Sequence, residues 1–145
     1  MSSSDRGCAF CSIARGEAPA RLVVDETEVL AFLDRRPLFH GHVLVVPRGH
    51  VETMDRLPPS LRAPFLDTVQ RVQRAVEAGM EAGGSLHIVN NTVSQSVPHL
   101  HYHVIPRTKG DGLRFWLGPR HPYTSDDEAD RVLDRIRAAL PHAGS

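Results

Sequence analysis

The sequence has no excess of charge of either sign, few aromatic residues and only two cysteines. Its 145 residues include 17 lysines and arginines against 17 aspartates and glutamates. This balance argues against a protein that binds nucleic acid or other polyanions over a broad surface. No apolar run approaches the ~18 residues that a transmembrane helix needs, and the first residues lack the pattern of a signal peptide. We therefore expect a cytoplasmic protein without nucleic-acid or membrane partners.

The two cysteines stand close together near the N-terminus, at Cys8 and Cys11. Because the cytoplasm is reducing, a Cys-x-x-Cys pair there is interpreted first as a metal or redox site and not as a structural disulfide. A redox pair of the thioredoxin type lies between a strand and a helix, a context that this N-terminus is not predicted to have. Thiolates are strong zinc ligands. The pair is therefore predicted to bind a metal ion.

The apolar pattern predicts a single domain over the whole chain, which is long enough to form a hydrophobic core. Apolar spacing and capping residues predict a long helix capped by Ser60 and a second helix that begins at a capping box, Ser125 to Glu128. Short β-forming runs predict strands at 21–24, 29–33, 42–46, 86–90 and 98–105. This order predicts an α+β fold with an antiparallel sheet and the helices on one side. The core would cover about residues 8–109, followed by an extension over about 110–141.

Three histidines alternate with other residues in the segment His99-Leu100-His101-Tyr102-His103. The interleaved residues favour a β-strand, so the three imidazoles would share one face, roughly 6–7 Å apart. Imidazole titrates near neutrality, so such a row can supply nucleophiles, proton donors or metal ligands. A solvated polar face is the simpler alternative, but such a face usually mixes polar residue types. The segment is therefore predicted to be a functional site.

The segment resembles the defining motif of the histidine triad (HIT) family of nucleotide hydrolases and transferases. The preceding residues, Gln95 to Val97, are similar to the family's own flank. Upstream, the run Gly41 to Pro47 followed by His50 resembles another motif of the family, and residues 8–11 resemble its zinc-binding members. The resemblance implies a five-stranded antiparallel sheet and a homodimer. We expect the dimer to cover the face of the long helix that carries Phe65, Val69 and Val72, or to extend the sheet.

Two chemistries could use these residues. A His-x-His pair on a strand can hold a catalytic zinc ion whose bound water attacks the substrate. Alternatively, one histidine attacks the substrate directly and zinc is structural. Four protein ligands would complete a tetrahedral shell and leave no position for water. The resemblance implies one structural zinc ion per chain, with the ligands Cys8, Cys11, His50 and His99.

If His99 binds zinc, the resemblance implies that His101 is the nucleophile. It would attack the α-phosphorus of a purine nucleotide and form a nucleotidyl-histidine, which water or another acceptor then releases. A neutral imidazole needs no base for this attack, but its second nitrogen must be hydrogen-bonded so that the tautomer is fixed. In the family a main-chain carbonyl accepts that hydrogen bond.

The remaining site residues are implied by the same resemblance. Asp34 would accept hydrogen bonds from the ribose hydroxyls, although it could also be a simple turn residue. His42 could likewise be a buried structural histidine. The loop between Asn91 and Gln95 is shorter than the family's glycine-containing loop, so its contacts could differ. The implied phosphate-binding residues are His42, Asn90, Asn91, Gln95, Ser96 and His103, and the implied nucleoside-binding residues are Ile13, Phe32, Leu33 and Asp34.

The sequence leaves the leaving group open. The segments 34–42 and 105–107 resemble the branch that hydrolyses dinucleoside polyphosphates, whereas the ribose acid and the cysteine pair resemble the phosphoramidase branch. Trp116 and its basic neighbours, in Arg114 to Arg120, could cover the leaving nucleotide or pack a dimer. A catalytically silent, zinc-stabilised nucleotide-binding or sensor protein is the alternative to an enzyme.

Overall fold

A computed structural model describes residues 5–114 and 118–143. These residues form one five-stranded antiparallel sheet and three α-helices, so the predicted α+β fold is confirmed. Trp116 lies outside the described residues. In chain order the elements are α1 (Ala9–Ala14), β1 (Leu22–Asp25), β2 (Val29–Leu33), β3 (Val43–Pro47), a 3₁₀ turn (Met54–Arg56), α2 (Pro59–Gly79), β4 (Gly84–Ile88), β5 (Tyr102–Arg107) and α3 (Asp126–Ala139).

The strand order brings the histidine-rich segment beside the start of β3. The sheet runs β1-β2-β3-β5-β4, and each neighbouring pair is antiparallel. Strand β5 therefore lies between β3 and the edge strand β4. Its His103 is paired with Leu44 on one side and with Ile88 on the other. Because His42 stands two residues before Leu44, it lies on the same face of the sheet as His103.

Both faces of the sheet are covered, and by different helices. In β2 and β3, one set of alternating residues packs against α2, whereas Leu30, Phe32, Leu44 and Val46 cluster with Cys8, Phe10 and Cys11 of the α1 region. The prediction that the helices lie on one side of the sheet is therefore wrong, because it missed α1. The uninterrupted apolar runs of β2 and β3 are what two covered faces require.

Helix α2 begins at Pro59 and its N-cap residue is Pro58, which makes no side-chain capping bond, so the predicted Ser60 cap is wrong. Proline suits the first helical position because its ring presets the backbone angle φ there. Phe65, Val69 and Val72 are only 3 %, 2 % and 1 % exposed within the single chain. A homodimer cannot use these residues as its contact surface, and the homodimer itself stays a prediction.

Strand β5 begins at Tyr102 and not near Pro98, so only the third histidine of the segment lies within a strand. Before this strand the backbone makes a hydrogen bond outside the sheet, because the Leu100 N–H donates to the carbonyl of Val51 at 2.6 Å. The expectation of three imidazoles on one regular strand is wrong for His99 and His101. Those two residues lie in the segment that leads into β5.

The chain divides into two compact units, residues 1–111 and 112–145. The first contains the sheet, α1 and α2, and the second contains α3. The predicted capping box is present, since the Glu128 N–H donates to Ser125 Oγ at 3.1 Å. Two large apolar residues of this unit are exposed, Ile136 in α3 at 61 % and Leu140, directly after the helix, at 72 %. Among the described residues, no helix has the length and apolar character needed to cross a bilayer.

Candidate active site and metal centre

Two cysteines and two histidines from distant parts of the chain meet at the start of α1. Nδ1 of His99 lies 3.4 Å from Sγ of Cys8 and 3.5 Å from Sγ of Cys11, and Nδ1 of His50 lies 3.2 Å from Sγ of Cys11. All four atoms lie within 4.8 Å of one another. Sulfur and nitrogen ligands of tetrahedral zinc are about 3.5 Å apart. The four predicted ligands could therefore hold a metal ion, and their separations fit zinc.

The hydrogen bonds of the histidines also suit metal binding. Nε2 of His99 donates to the carbonyl of Pro47 at 2.8 Å, so the lone pair of the neutral ring is on Nδ1, the atom that faces the two sulfurs. Partners of this kind commonly orient metal-bound histidines. Nε2 of His50 is buried without a hydrogen-bond partner in the described part of the chain, and a carboxylate oxygen of Glu52 lies 4.0 Å from it.

Burial favours the uncharged forms of two members of the cluster, His99 and Cys11. Desolvation lowers the pKa of His99 to about 4, so its ring is neutral at physiological pH. Desolvation, with Cys8 as its neighbour, raises the pKa of the Cys11 thiol to about 12. A bound cation would offset this penalty and favour the thiolate, so metal binding releases protons.

Helix α1 places both cysteines in its first turn. Cys8 is the N-cap residue, and its Sγ accepts a hydrogen bond from the Cys11 N–H at 3.5 Å. Arg48 holds the other end of the helix, because its Nη1 donates to the carbonyl of Ala14 at 2.6 Å. The sequence did not predict this helix. The cysteine pair therefore does precede a helix, as a thioredoxin-type pair does, although no strand leads into it in the described residues. What distinguishes the site from a redox pair is that His50 and His99 face the sulfurs.

His101 lies beside the cluster of two cysteines and two histidines, and its tautomer is defined by a hydrogen bond. Its Nδ1 donates to the carbonyl of His99 at 2.7 Å, so the lone pair of the neutral ring is on Nε2. The side chain is buried, and its ring centroid lies 5.1 Å from that of Phe10. This hydrogen bond to a main-chain carbonyl is the one that a nucleophilic imidazole requires.

His42 and His103 form a second hydrogen-bonded pair on the same face of the sheet. Nδ1 of His42 accepts from the Leu38 N–H at 3.0 Å, so its Nε2 carries the proton of the neutral ring. That Nε2 lies 2.9 Å from Nδ1 of His103 and 3.5 Å from a carboxylate oxygen of Asp34. If Nε2 of His42 donates to His103, the proton of the neutral His103 ring is on its Nε2. His103 then presents an N–H donor.

The tautomer of His42 decides whether a second cluster can bind a cation. Asp34, His42 and His103 also offer ligand atoms close enough together to hold a cation. A cation would need the lone pair on Nε2 of His42, and the proton would then move to Nδ1, where the Leu38 N–H already points. We therefore interpret these three residues as a hydrogen-bond relay.

We expect the protein to lose stability as the pH falls from about 6.5 towards 4. Desolvation and the neighbouring imidazoles lower the pKa of His103 from 6.5 to about 4. Between these values the unfolded chain binds more protons than the folded one, so acid favours unfolding. Urea denaturation at pH 7 and at pH 4.5 should show this loss, and His103→Asn should reduce it. An unchanged pH dependence in this variant would contradict the assignment.

On the nucleoside side, the structure brings three of the four predicted residues together. Phe32 is buried, with its ring centroid 5.5 Å from that of Phe10, and Ile13 packs against the same cluster. Asp34 follows on the same face and also makes a turn, since it accepts the Arg36 N–H at 2.9 Å. Leu33 alternates to the opposite face and is 39 % exposed. The structure does not bring Leu33 to this site.

The loop before the histidine segment is held by its own side chains. Oδ1 of Asn91 accepts the Met54 N–H at 2.8 Å, and Nε2 of Gln95 donates to the carbonyl of Glu52 at 2.6 Å. These two amide side chains tie the loop to the segment after His50, and their assignment to the phosphate stays a prediction. Ser96 is exposed. Without glycine, the short loop takes its turn through Thr92 and Ser94, whose φ angles are 67° and 62°.

A cavity of about 340 Å³ adjoins the histidine pair. The sequence predicted roles for three of the lining residues, His42, Asn90 and His103, and for none of the others. It also predicted no role for Phe10 or Arg48, which lie elsewhere in the site. For Arg36, the one signal in the sequence was its position two residues after Asp34. The cavity is lined by Arg36, Pro37, Leu38, His42, Ile88, Asn90, His103 and Ile105.

Comparison with known proteins finds relatives that match most of the chain. A family model described as "HIT domain" matches residues 15–110. An uncharacterized HIT-like protein of Methanocaldococcus jannaschii is 42 % identical over 90 % of this chain and 98 % of its own length. Adenylylsulfatase HINT3 of Arabidopsis thaliana is 33 % identical over 96 % of this chain and 72 % of its own. Adenosine 5′-monophosphoramidase hnt1 of Schizosaccharomyces pombe is 35 % identical over 83 % of this chain and 89 % of its own length.

Two solved structures extend the comparison. A member of the HIT family from Bacillus subtilis has a TM-score of 0.85 and 31 % identity, covering 94 % of this chain and 99 % of its own. A zinc-bound histidine triad family protein from Mycobacterium smegmatis has a TM-score of 0.70 and 32 % identity, with coverages of 94 % and 99 %.

Proposed function

The chain belongs to the HIT family, and on this premise we propose that it is a nucleotide hydrolase in which His101 attacks the α-phosphorus. The observation that carries the proposal is the hydrogen bond from Nδ1 of His101 to the carbonyl of His99. It leaves a lone pair on Nε2 of a neutral ring, which can attack without a base to remove a proton. The relatives named as an adenylylsulfatase and a phosphoramidase support hydrolysis at a nucleotide phosphorus.

The proposed reaction has two steps. In the first, Nε2 of His101 forms a bond to phosphorus while the bond from phosphorus to the leaving group breaks, and the leaving group takes that electron pair. In the second, water attacks the phosphorus and gives up a proton to the solvent, the P–N bond breaks, and its electrons return to Nε2. The nucleoside monophosphate and the free imidazole are the products. The Nδ1 proton stays on the ring, shared with the carbonyl of His99.

A zinc ion on Cys8, Cys11, His50 and His99 would have a structural role in this scheme. Four protein ligands complete its shell, so the ion supplies charge neutralisation for the thiolates and a crosslink between distant segments. Because His99 would be held by the metal, its carbonyl would be fixed where it accepts the His101 proton. The fit of the four side chains to zinc supports this role.

We propose that the nucleoside lies over Phe32 and Ile13, with its ribose at Asp34. Both Asp34 oxygens already have partners, the Arg36 N–H and the His42 ring. Each carboxylate oxygen has two lone pairs, so ribose hydroxyls can still be accepted. His103 would donate a hydrogen bond from its Nε2–H to the leaving group or to a phosphate oxygen, where negative charge develops. To transfer a proton to an amine, this ring must first bind a second proton, which the negative charge of a bound phosphate favours.

The proposal is tested with two adenylates that differ only in their leaving group. Adenosine 5′-phosphoramidate must expel ammonia, which needs a proton, whereas adenosine 5′-phosphosulfate expels sulfate, which does not. We expect both to release AMP, and we expect His103→Asn to lower kcat/KM for the phosphoramidate by about 10²-fold or more. The loss for the phosphosulfate should be clearly smaller.

His121→Asn is the matched control for this variant, since His121 is exposed in the second unit. It should leave both rates unchanged. Equal losses on the two substrates in His103→Asn would show that His103 is not the proton donor. Binding of both nucleotides without turnover of either would contradict the hydrolase and favour the silent nucleotide-binding protein.

A further inference from the structure

A chain of four hydrogen-bonded side chains lies on the α2 face of the sheet, opposite the histidines of the candidate site. Oγ of Ser85 lies 2.9 Å from a carboxylate oxygen of Glu77 and 3.0 Å from Nε2 of His87. Nδ1 of His87 lies 2.9 Å from the Tyr102 hydroxyl. The chain therefore runs from α2 through β4 to the first residue of β5, which follows His101 directly.

The protons of this chain all point towards Glu77. Ser85 donates its one hydroxyl proton to the Glu77 carboxylate, so its oxygen accepts from Nε2 of His87. Burial lowers the pKa of His87, which favours the neutral ring. The lone pair of that ring is then on Nδ1, where it accepts from the Tyr102 hydroxyl. The Tyr102 side chain is thus held by a hydrogen bond of defined direction.

The same order of protons argues against a nucleophilic serine. In a serine hydrolase the histidine accepts the serine proton and the acid orients the imidazole. Here the acid accepts the serine proton, and the imidazole presents an N–H to Ser85. The cluster is therefore suited to holding Tyr102 in place and not to attacking a substrate.

Tyr102 lies at the point where the ladder between β4 and β5 ends. The last pair of that ladder joins Ile88 to His103, whereas on the β3 side Tyr102 is itself paired with Val45. The hydrogen bond from the Tyr102 hydroxyl to His87 continues the connection to β4 by one more residue. This bond therefore fixes the sheet where the histidine segment enters it.

The position of Tyr102 determines where its two histidine neighbours lie. Its side chain packs towards α2, with its ring centroid 6.3 Å from that of Phe65. The rings of His101 and His103 lie together in the candidate site, with centroids 5.0 Å apart. Because His101 lies outside the strand, the Tyr102 backbone is its connection to the sheet. A rotation of this backbone would move both imidazoles.

We propose that His87 and Tyr102 are positioning residues, which hold His101 and His103 in a fixed arrangement around the reacting phosphorus. The inference rests on the proposed function and assigns a role to two residues that do not contact the substrate. The hydrogen bond between them fixes the backbone that carries both imidazoles. A displacement of about 1 Å at a reacting group can cost about 10²-fold in rate, so loss of this bond should slow the chemical step.

The test compares Tyr102→Phe with Tyr123→Phe, its matched control. Tyr102→Phe removes the hydroxyl and keeps a ring against Phe65, whereas Tyr123 is 58 % exposed in the second unit. The measured quantities are the single-turnover rate constant for cleavage of adenosine 5′-phosphoramidate and the substrate concentration that gives half of it. We expect Tyr102→Phe to lower the rate constant about tenfold or more with little change in that concentration. Tyr123→Phe should change neither.

Two substitutions at His87 distinguish the hydrogen bond from the bulk of the ring. His87→Leu removes the acceptor, and we expect it to slow the reaction about as much as Tyr102→Phe. His87→Asn can present an oxygen near the position of Nδ1, so it should recover part of this loss. The double variant Tyr102→Phe/His87→Leu should be no slower than either single variant, because both remove the same bond. Additive losses would show that the two residues do not act through it.

The rate constant separates positioning from a general loss of stability. A variant that is only less stable has fewer folded molecules, which lowers the amplitude of the single turnover and not its rate constant. An unchanged rate constant in Tyr102→Phe, or an equal fall in Tyr123→Phe, would overturn the proposal.

Nuclear magnetic resonance keeps this inference separate from the proposed hydrolase. In nucleotide-free protein, the imidazole ¹⁵N resonances of His101 and His103 should shift in Tyr102→Phe, which retains an aromatic ring, and not in Tyr123→Phe. If wild-type protein turned over no adenylate but these resonances shifted, the hydrolase would fall and the positioning role would stand. If turnover occurred and neither the rate constant nor the resonances changed, the positioning role alone would fall.

Discussion

Replacing His101 with alanine is expected to lower kcat by about 10⁴-fold or more, the scale seen when other catalytic nucleophiles are deleted. The buried imidazole has its lone pair on Nε2, and alanine supplies neither that lone pair nor the donor to the His99 carbonyl. The measurement is turnover of adenosine 5′-phosphoramidate, together with quenching in alkali after mixing with a nucleotide labelled at the α-phosphorus. Wild-type protein should retain label on His101, and acid should release it, because P–N bonds survive base but hydrolyse in acid.

The variant should keep its fold and its metal, because His101 is not among the four proposed ligands. His40→Ala is the matched control, since His40 is exposed and has no assigned role; it should keep both label and turnover. Near-normal activity in His101→Ala would remove the covalent mechanism. Loss of zinc from this variant would show instead that the ligands have been assigned wrongly.

Replacing Cys11 with serine is expected to remove the metal and to lower stability by several kcal/mol, because the ion binds only the folded cluster. For a domain of this size, 1 kcal/mol corresponds to roughly 2–4 °C in Tm, so the melting temperature should fall by roughly 10 °C. Metal analysis of reduced protein should find one zinc per wild-type chain. Ser12→Ala, in the same helix, is the matched control and should keep the ion.

Chelation distinguishes a structural ion from a catalytic one. If zinc is structural, a chelator should lower the melting temperature first, and protein stripped at low temperature should still form the labelled adduct. Immediate loss of turnover without loss of stability would support a zinc-bound water instead. Cobalt substitution adds an independent measurement, because two thiolate ligands in a tetrahedral site produce intense sulfur-to-cobalt absorption. If wild-type protein contained no trace of bound metal, the proposed zinc site would be wrong.

The fold could be predicted largely because the strands and the two longer helices carry local signals. The apolar runs at Val29–Leu33 and Val43–Pro47 indicate strands directly, and Ser125 identifies the start of α3 by its own hydrogen bond. Helix α1 escaped prediction because it has only six residues. A helix of that length has little intrinsic stability and depends on tertiary contacts, here those of Phe10 and Cys11 with the sheet.

For the candidate site, chemically distinctive residues could be predicted, but the direction of flexible side chains could not. Four separated residues, from Cys8 to His99, were predicted to meet, and the structure brings them together. Gln95 is predicted to bind the phosphate, and the structure adds a hydrogen bond from its side-chain amide to the carbonyl of Glu52 that the sequence did not predict. That bond depends on where the segment after His50 runs, which no local pattern encodes. Arg36 was missed for a similar reason, since the cavity it lines forms only when β4 and β5 pair.

Phe10 contacts both chemical centres at once, and this contact makes its ring a spectroscopic reporter. Its ring centroid lies 5.8 Å from that of His99 and 5.1 Å from that of His101, both in edge-on geometry. A fluorine atom placed on this ring would sense the fields of a metal-bound imidazole and of an imidazole that carries a nucleotide. One ¹⁹F resonance could then follow ion occupancy and adduct lifetime in the same sample, without a chromophore on the substrate.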